Sequence, residues 1–258
     1  MAPRTQRIAL IGLALIAILF YAASRNHSPA TNPETLYPHG VLRVGVDPSM
    51  APFAFIEDDQ LRGLEIDLAH AIGQEIGIPV HLVSMGFDGL YDSLKADQVD
   101  IIIATLTINP LQLGDVRYTR PYFDAGLVLV SPASQPINTM AELSGHALAY
   151  EYGSSADREA RLWQRRVLPF ETRPYEHANY ALDAVRLSQA NAALVDAISA
   201  RLYFRTHPAW AANYRPITEN PYVIAARVDR YPLWEQVHEA LQSLEDNGTL
   251  EIIVNQWL

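Results

Sequence analysis

The chain has 258 residues, 49% hydrophobic and 19% charged, with a formal net charge of −10 and no cysteine. This balance excludes a disordered or multi-pass membrane protein, and the acidic charge argues against a nucleic-acid partner, because phosphate binding needs a basic face. Without cysteine there are no disulfides, thiolate metal sites or cysteine nucleophile, and no acylated cysteine of the bacterial lipoprotein kind.

In chain order, Arg4 and Arg7 precede an almost wholly apolar run from Ile8 to Ala23, and Ala22-Ala23-Ser24 offers small residues for cleavage. Residues 1–26 therefore read as a signal peptide or an N-terminal membrane anchor, with an N-in orientation that exports everything downstream. Residues 27–40 are polar and proline-rich and read as a linker.

From Val41 onward, short β-branched runs alternate with longer amphipathic ones. Leu42 to Val46 predicts a strand. Gly63 to Gly77 predicts a helix, with Leu64, Leu68, Ile72 and Ile76 at helical spacing. Val80 to Val83 follows as a strand, Gly89 to Ala96 as a helix, and Val99 to Ala104 as a strand buried on both faces. This βαβαβ order implies a parallel sheet with covering helices. Leu127 to Val130 reads as a crossing strand into a second unit: strand His146 to Tyr150, helix Ser155 to Arg166, helix Tyr180 to Ser188, strand Ala192 to Val195 and helix Ala197 to Arg205. Val223 to Ala226 reads as the return strand, with helices Trp234 to Leu244 and Leu250 to Trp257 closing the chain. The expected architecture is a two-lobed α/β protein with two mixed or parallel sheets and flanking helices. Lobe 1 takes residues 41–130 and 224–258, lobe 2 takes 131–223, and two strands form the hinge.

Several segments occur in one order along this pattern: LRVGVDPSMAPFAF, LRGLEIDLAHAIGQEIG with Asp67, IIIATLTINPLQLGDVRYTRPYFDAG, LSGHALAYEYGSS and DNGTLEIIVNQWL. Together they resemble the family-3 extracytoplasmic solute-binding proteins, the polar amino-acid-binding components of bacterial ABC importers. The resemblance implies a type II periplasmic-binding fold, extracytoplasmic location, a small-molecule ligand held between closing lobes, ABC permease subunits as partners, a monomer, and no enzymatic activity. It covers roughly Leu42 to Trp257. The family turn usually reads T-x-x-E-R, its arginine clamping the ligand α-carboxylate; here that position is Gln112.

Candidate ligand residues follow from strand-end chemistry and from the resemblance. Ligands of open α/β sheets sit at the carboxyl ends of strands, which points to Thr105 and Thr107. Gly153-Ser154-Ser155 opens a helix after a strand, so its amides and the helix dipole favour an anion, with Ser154 or Ser155 capping. The resemblance implies that Asp196 binds a ligand ammonium, that Asp47 serves a basic side chain, that Met50, Phe53 and Phe87 line the site, and that Glu151 touches the ligand side chain. Asp196 also reads as a helix N-cap, and Glu151 could lie on an exposed strand face. Arg117 and Arg120 read as surface residues. Three carboxylates without the clamping arginine imply a cationic solute: a basic amino acid, a diamine or polyamine-like amine, or a quaternary ammonium compound. The alternatives are a cyclohexadienyl-dehydratase-like enzyme using Glu151 or Asp196 as proton donor, and a membrane-anchored sensory or scavenging receptor. No cofactor or metal is expected, because the eight histidines are scattered without ligand spacing.

Overall fold

The computed structural model describes residues 36–258. The signal or anchor reading of residues 1–26, and the linker as far as residue 35, lie outside the described residues. Residues 1–41 and 42–258 form separate units. Of the first, residues 37–40 close a turn in which the Gly40 amide donates to the Tyr37 carbonyl at 2.9 Å. Among the described residues no helix is long and apolar enough to cross a membrane.

The unit 42–258 is built on two five-stranded sheets. The first uses β1 (Leu42–Val46), β5 (Val80–Ser84), β6 (Ile101–Ile102), β7 (Val116–Asp124) and β13 (Pro221–Arg227), in the order β5-β1-β6-β13-β7. The helix α1 (Leu64–Ile76) connects β1 to β5, and α2 (Leu90–Lys95) connects β5 to β6. Both connections join parallel strands, as the βαβαβ pattern predicts. Leu42, Val44, Ile101, Ile102 and the core face of α1 are fully buried, which is why these strands read as continuous apolar runs.

The second sheet repeats the plan. Its strands are β8 (Leu127–Pro132), β9 (Ala147–Glu151), β10 (Glu171–Tyr175), β11 (Ala192–Asp196) and β12 (Ala212–Pro216), in the order β10-β9-β11-β8-β12. The helices α3 (Ser155–Trp163), α4 (Ala178–Arg186) and α5 (Ala197–Thr206) follow β9, β10 and β11 respectively. In each sheet three parallel strands are joined by one antiparallel strand that has crossed from the other lobe, β13 in the first and β8 in the second. A crossing strand bonds to the sheet it enters, so the expected boundaries at 130 and 223 fall inside β8 and β13. The crossings themselves are Ala125–Gly126 and residues 217–220.

The two crossings are stitched together. The Ala125 amide donates to the Asn220 carbonyl at 3.0 Å, the Asn220 and Gly126 amides both donate to Asp124 Oδ1 at 2.8 Å, and the Leu127 amide donates to Thr218 Oγ1 at 2.9 Å. Gly126 permits this approach, since a Cβ there would lie 1.9 Å from the Thr218 carbonyl oxygen. Beside them, α6 (Tyr231–Asp246) and α7 (Thr249–Trp257) pack on the first lobe. Arg205 of α5 reaches across to the Trp257 carbonyl at 2.6 Å.

A three-stranded antiparallel flap completes lobe 1: β2 (Ser49–Met50), β3 (Ala54–Glu57) and β4 (Gln60–Arg62). It leads directly into α1. The Leu64 and Glu65 amides donate to the Pro52 and Phe53 carbonyls at 3.0 and 2.9 Å. Gly63 at φ 129° fits this junction, because a Cβ would sit 2.1 Å from the Phe53 carbonyl oxygen.

Candidate ligand site at the strand ends

The carboxyl ends of the parallel strands carry the predicted residues in two groups. On lobe 1, Asp47 follows β1, Met50 lies in β2, Phe87 follows β5, and Thr105 and Thr107 follow β6. Asp47 accepts a hydrogen bond from Ser49 Oγ at 2.9 Å. Met50 is 49% exposed, and Phe87 and Thr107 are also exposed, so all three are open to an incoming solute. Phe53 is not: at 1% exposure its ring packs edge-on against Phe123 and Tyr222, each at 5.5 Å. Its apolar bulk is used beneath the loop, where it supports the site from below.

The turn carrying Gln112 is fixed by short-range chemistry. Asn109 caps it by accepting the Leu111 amide at 3.0 Å, and the Asn109 amide donates to Tyr118 Oη at 3.3 Å. Gln112 presents its Oε1 to Lys95 Nζ at 3.5 Å, and that ammonium also lies 3.8 Å from Asp92. Leu111, beside Gln112 in this turn, is 90% exposed. Arg117 and Arg120 do not replace the absent arginine. Arg117 stacks between Tyr231 and Trp234, and Arg120 pairs with Glu245 at 3.2 Å.

On lobe 2 the strand ends of β9, β10 and β11 each open into a helix start. Ser154 caps α3, its Oγ accepting the Ala156 and Asp157 amides at 3.1 and 3.3 Å. Gly153 gives its amide to the buried Asp157, which also binds Arg161. The exposed Ser155 stands at the first position of α3. Glu151 reaches sideways and accepts the Ala178 amide at 3.0 Å, capping α4 across the sheet edge. Asp196 caps α5, with Oδ1 accepting the Ser199 amide at 2.8 Å and Oδ2 accepting Ser199 Oγ at 2.7 Å. Two of the three acids counted in the sequence thus sit on positive helix ends, which offset part of their charge. Each carboxylate oxygen still has a free acceptor direction. Tyr150 is buried, whereas Tyr152 just beyond β9 is 68% exposed.

One buried acid beside the candidate site escapes the sequence reading. Glu65, in the first turn of α1, is 1% exposed, and its Oε1 accepts both Tyr122 Oη and the Thr105 amide at 2.5 Å. The Thr105 amide also lies 3.1 Å from Tyr122 Oη, and Thr105 adopts a left-handed φ of 47°. Burial raises the Glu65 carboxyl to about 7, against the lowering effect of its two hydrogen bonds, with Asp47 adding a further upward push. The signal was present, since Glu65, Leu68, Ala69 and Ile72 share one helical face that is otherwise apolar. Asp67, the acid singled out from the sequence, instead anchors α7 through Trp257 Nε1 at 2.8 Å and Gln256 Nε2 at 3.1 Å.

The described residues form two β-α units joined by paired crossings, with the candidate residues near their strand ends. Residues 42–258 match the bacterial extracellular solute-binding proteins, family 3. The chain belongs to that family. It is 25% identical over 219 residues to the arginine-binding extracellular protein ArtP of Bacillus subtilis, covering 84% of this chain and 85% of that protein. Against the L-cystine-binding protein TcyJ of Escherichia coli K12 it is 24% identical, covering 97% and 95%. Among solved structures it resembles the unliganded, open L-cystine solute receptor of Neisseria gonorrhoeae, with a TM-score of 0.75, 19% identity and coverage of 88% and 97%. An ancestral cationic amino acid solute-binding protein aligns with a TM-score of 0.62, 25% identity and coverage of 87% and 98%. The fold is therefore the type II periplasmic-binding fold, and this family member is an extracytoplasmic solute-binding protein of the ABC-importer class.

Proposed function

We propose that this family member takes up a positively charged small solute, a basic amino acid or a related amine, between its two lobes and delivers it to ABC permease subunits. The observation that carries the reading is the charge pattern at the strand ends. Asp47, Glu151 and Asp196 stand there, while the clamp position holds the uncharged Gln112 and the nearby Lys95 is shared with Asp92. Met50, Phe87 and Leu111 add exposed apolar surface suited to the hydrocarbon stem of such a solute. The arginine-binding and cationic-amino-acid relatives support the same class. Closure about residues 125–126 and 217–220 buries the solute, and the closed form engages the permease. The protein works as a monomer, exported by residues 1–26, which serve as a cleaved signal or as an anchor.

The dehydratase reading has less support. Glu151 and Asp196 are both engaged as helix caps, each accepting a backbone amide, rather than held free to face a substrate leaving group.

Gln112→Arg is the direct test of the clamp position. A restored bidentate contact should tighten arginine binding by roughly tenfold or more, given about 1.5–3 kcal/mol for each charged hydrogen bond. Agmatine, which lacks the carboxylate, should gain nothing. Equal effects on the two compounds would remove position 112 from the carboxylate subsite.

A further inference from the structure

We infer that Glu65 is a positioning residue for the lobe-1 half of the site, holding the Thr105 amide directly and the Tyr122 hydroxyl beside it, and that binding of a cationic solute is coupled to release of a proton from Glu65. The inference rests on the solute-site reading of Thr105 and of Asp47 above.

The geometry is a closed triangle, buried at Glu65 and Tyr122 and half-buried at Thr105. Glu65 Oε1 receives the Tyr122 hydroxyl and the Thr105 amide, both at 2.5 Å, and those two donors are themselves 3.1 Å apart. Thr105 follows the buried run 101–104 at the end of β6, and it adopts a left-handed backbone where the chain turns out of the sheet. A carboxylate accepts both donors strongly, whereas the protonated group accepts weakly and needs an acceptor of its own. Proton gain therefore loosens the hold on Thr105.

The surrounding charges set the direction. The groups acting on Glu65 are Asp47 beyond β1 and Tyr122 on β7, and Glu65 in turn raises Tyr222 on β13. Of the other charged groups near α1, several are committed elsewhere, and His70 of α1 itself is exposed. Glu57 of β3 pairs with Arg62 of β4 at 3.2 Å, Asp67 holds Trp257 of α7, Glu75 accepts Ser243 of α6, and His81 of β5 is exposed. Glu65 thus ionises next to a second acid. A solute cation at Asp47 supplies the missing positive charge and favours the ionised form. By linkage, affinity rises with pH through the titration of Glu65, and binding expels a proton.

Arginine is the probe. Titration calorimetry of the protein from pH 6 to pH 8, in buffers of different ionisation enthalpy, should show about three- to tenfold tighter binding at pH 8 and net proton release near pH 7. Glu65→Gln should flatten this profile and abolish proton release. Tyr122→Phe removes one donor from the carboxylate and should move the midpoint to higher pH. Proton uptake, or a wild-type profile retained in Glu65→Gln, overturns the inference. A readout without solute separates it from the ligand reading. The Thr105 amide resonance should titrate near pH 7 in the wild type and not in Glu65→Gln; an amide indifferent to pH sinks the positioning role whether or not arginine binds.

Discussion

Asp196→Asn is expected to weaken binding of a cationic solute by about 30- to 1000-fold while leaving the fold intact. The estimate follows from about 2–4 kcal/mol for loss of one partly buried, charge-assisted contact. The substitution is chosen to separate two roles in one side chain. Asp196 caps α5 through the Ser199 amide at 2.8 Å and the Ser199 hydroxyl at 2.7 Å. An asparagine carbonyl still accepts the amide, so the cap survives at a cost of a few tenths of a kcal/mol. What disappears is the charge, and with it the capacity to hold an ammonium or guanidinium at the end of β11. Asp196→Ala should lose the same affinity and also about 1 kcal/mol of stability, because the first turn of α5 loses its acceptor. Calorimetry paired with denaturant melts reads both quantities. Unchanged affinity in Asp196→Asn would reduce Asp196 to a cap.

The second large effect is on stability. Glu65 titrates at about 7 in the folded chain, above the ordinary carboxyl value of 4.5. Between those values the folded protein keeps a proton that the unfolded chain has released. Stability is therefore full below the unfolded value and falls as pH rises through 7, by about 3 kcal/mol in all. Glu65→Gln removes this slope, because a neutral amide carbonyl accepts the same two donors without ionising. The variant should be more stable than wild type at pH 8, by up to about 3 kcal/mol, with the difference shrinking toward pH 5. Urea melts across that range test the sign. A Glu65→Gln protein less stable than wild type at pH 8 would mean that the ionised carboxylate stabilises the fold.

Both effects concern residues whose sequence signals differ in kind. The central strands β1, β6, β8, β9, β11 and β13 were readable because burial on both faces leaves continuous apolar runs. The edge strands β7, β10 and β12 were not. Each lies at a sheet margin, where one row of backbone groups is unpaired and polar or proline residues are tolerated, as in VRYTRPYFD and ETRPY. The flap β2–β3–β4 was hidden by Pro48 and Pro52 and by its short strands. Its hairpin turn, Asp58-Asp59 with φ of 51° and 57°, has the backbone of a tight hairpin but lacks the Asp-Gly or Asn-Gly signature.

At the site, the same distinction separates local from long-range chemistry. Asp196 as a cap was visible because it stands directly before the helix that begins at Ala197. The Glu151 bond to Ala178 and the approach of Lys95 to Gln112 join residues 27 and 17 positions apart, and only the folded sheet edges bring them together. Phe53 looked like a lining aromatic because loop position alone does not reveal which side a ring faces; Phe123 and Tyr222 supply the pocket that buries it. Glu65 is the opposite case: an acid on an otherwise apolar helix face is a local signal, but Asp67 two residues on is the acid singled out in its place.

The proposed preference is for positive charge, at strand ends that carry Asp47, Glu151 and Asp196 without the clamping arginine. Isothermal calorimetry of the exported chain at pH 8 against arginine, lysine, putrescine, glutamate and aspartate tests it most directly. The account predicts measurable binding of at least one cation, each acidic amino acid binding at least tenfold more weakly than it. Glutamate or aspartate binding tighter than every cation would contradict it.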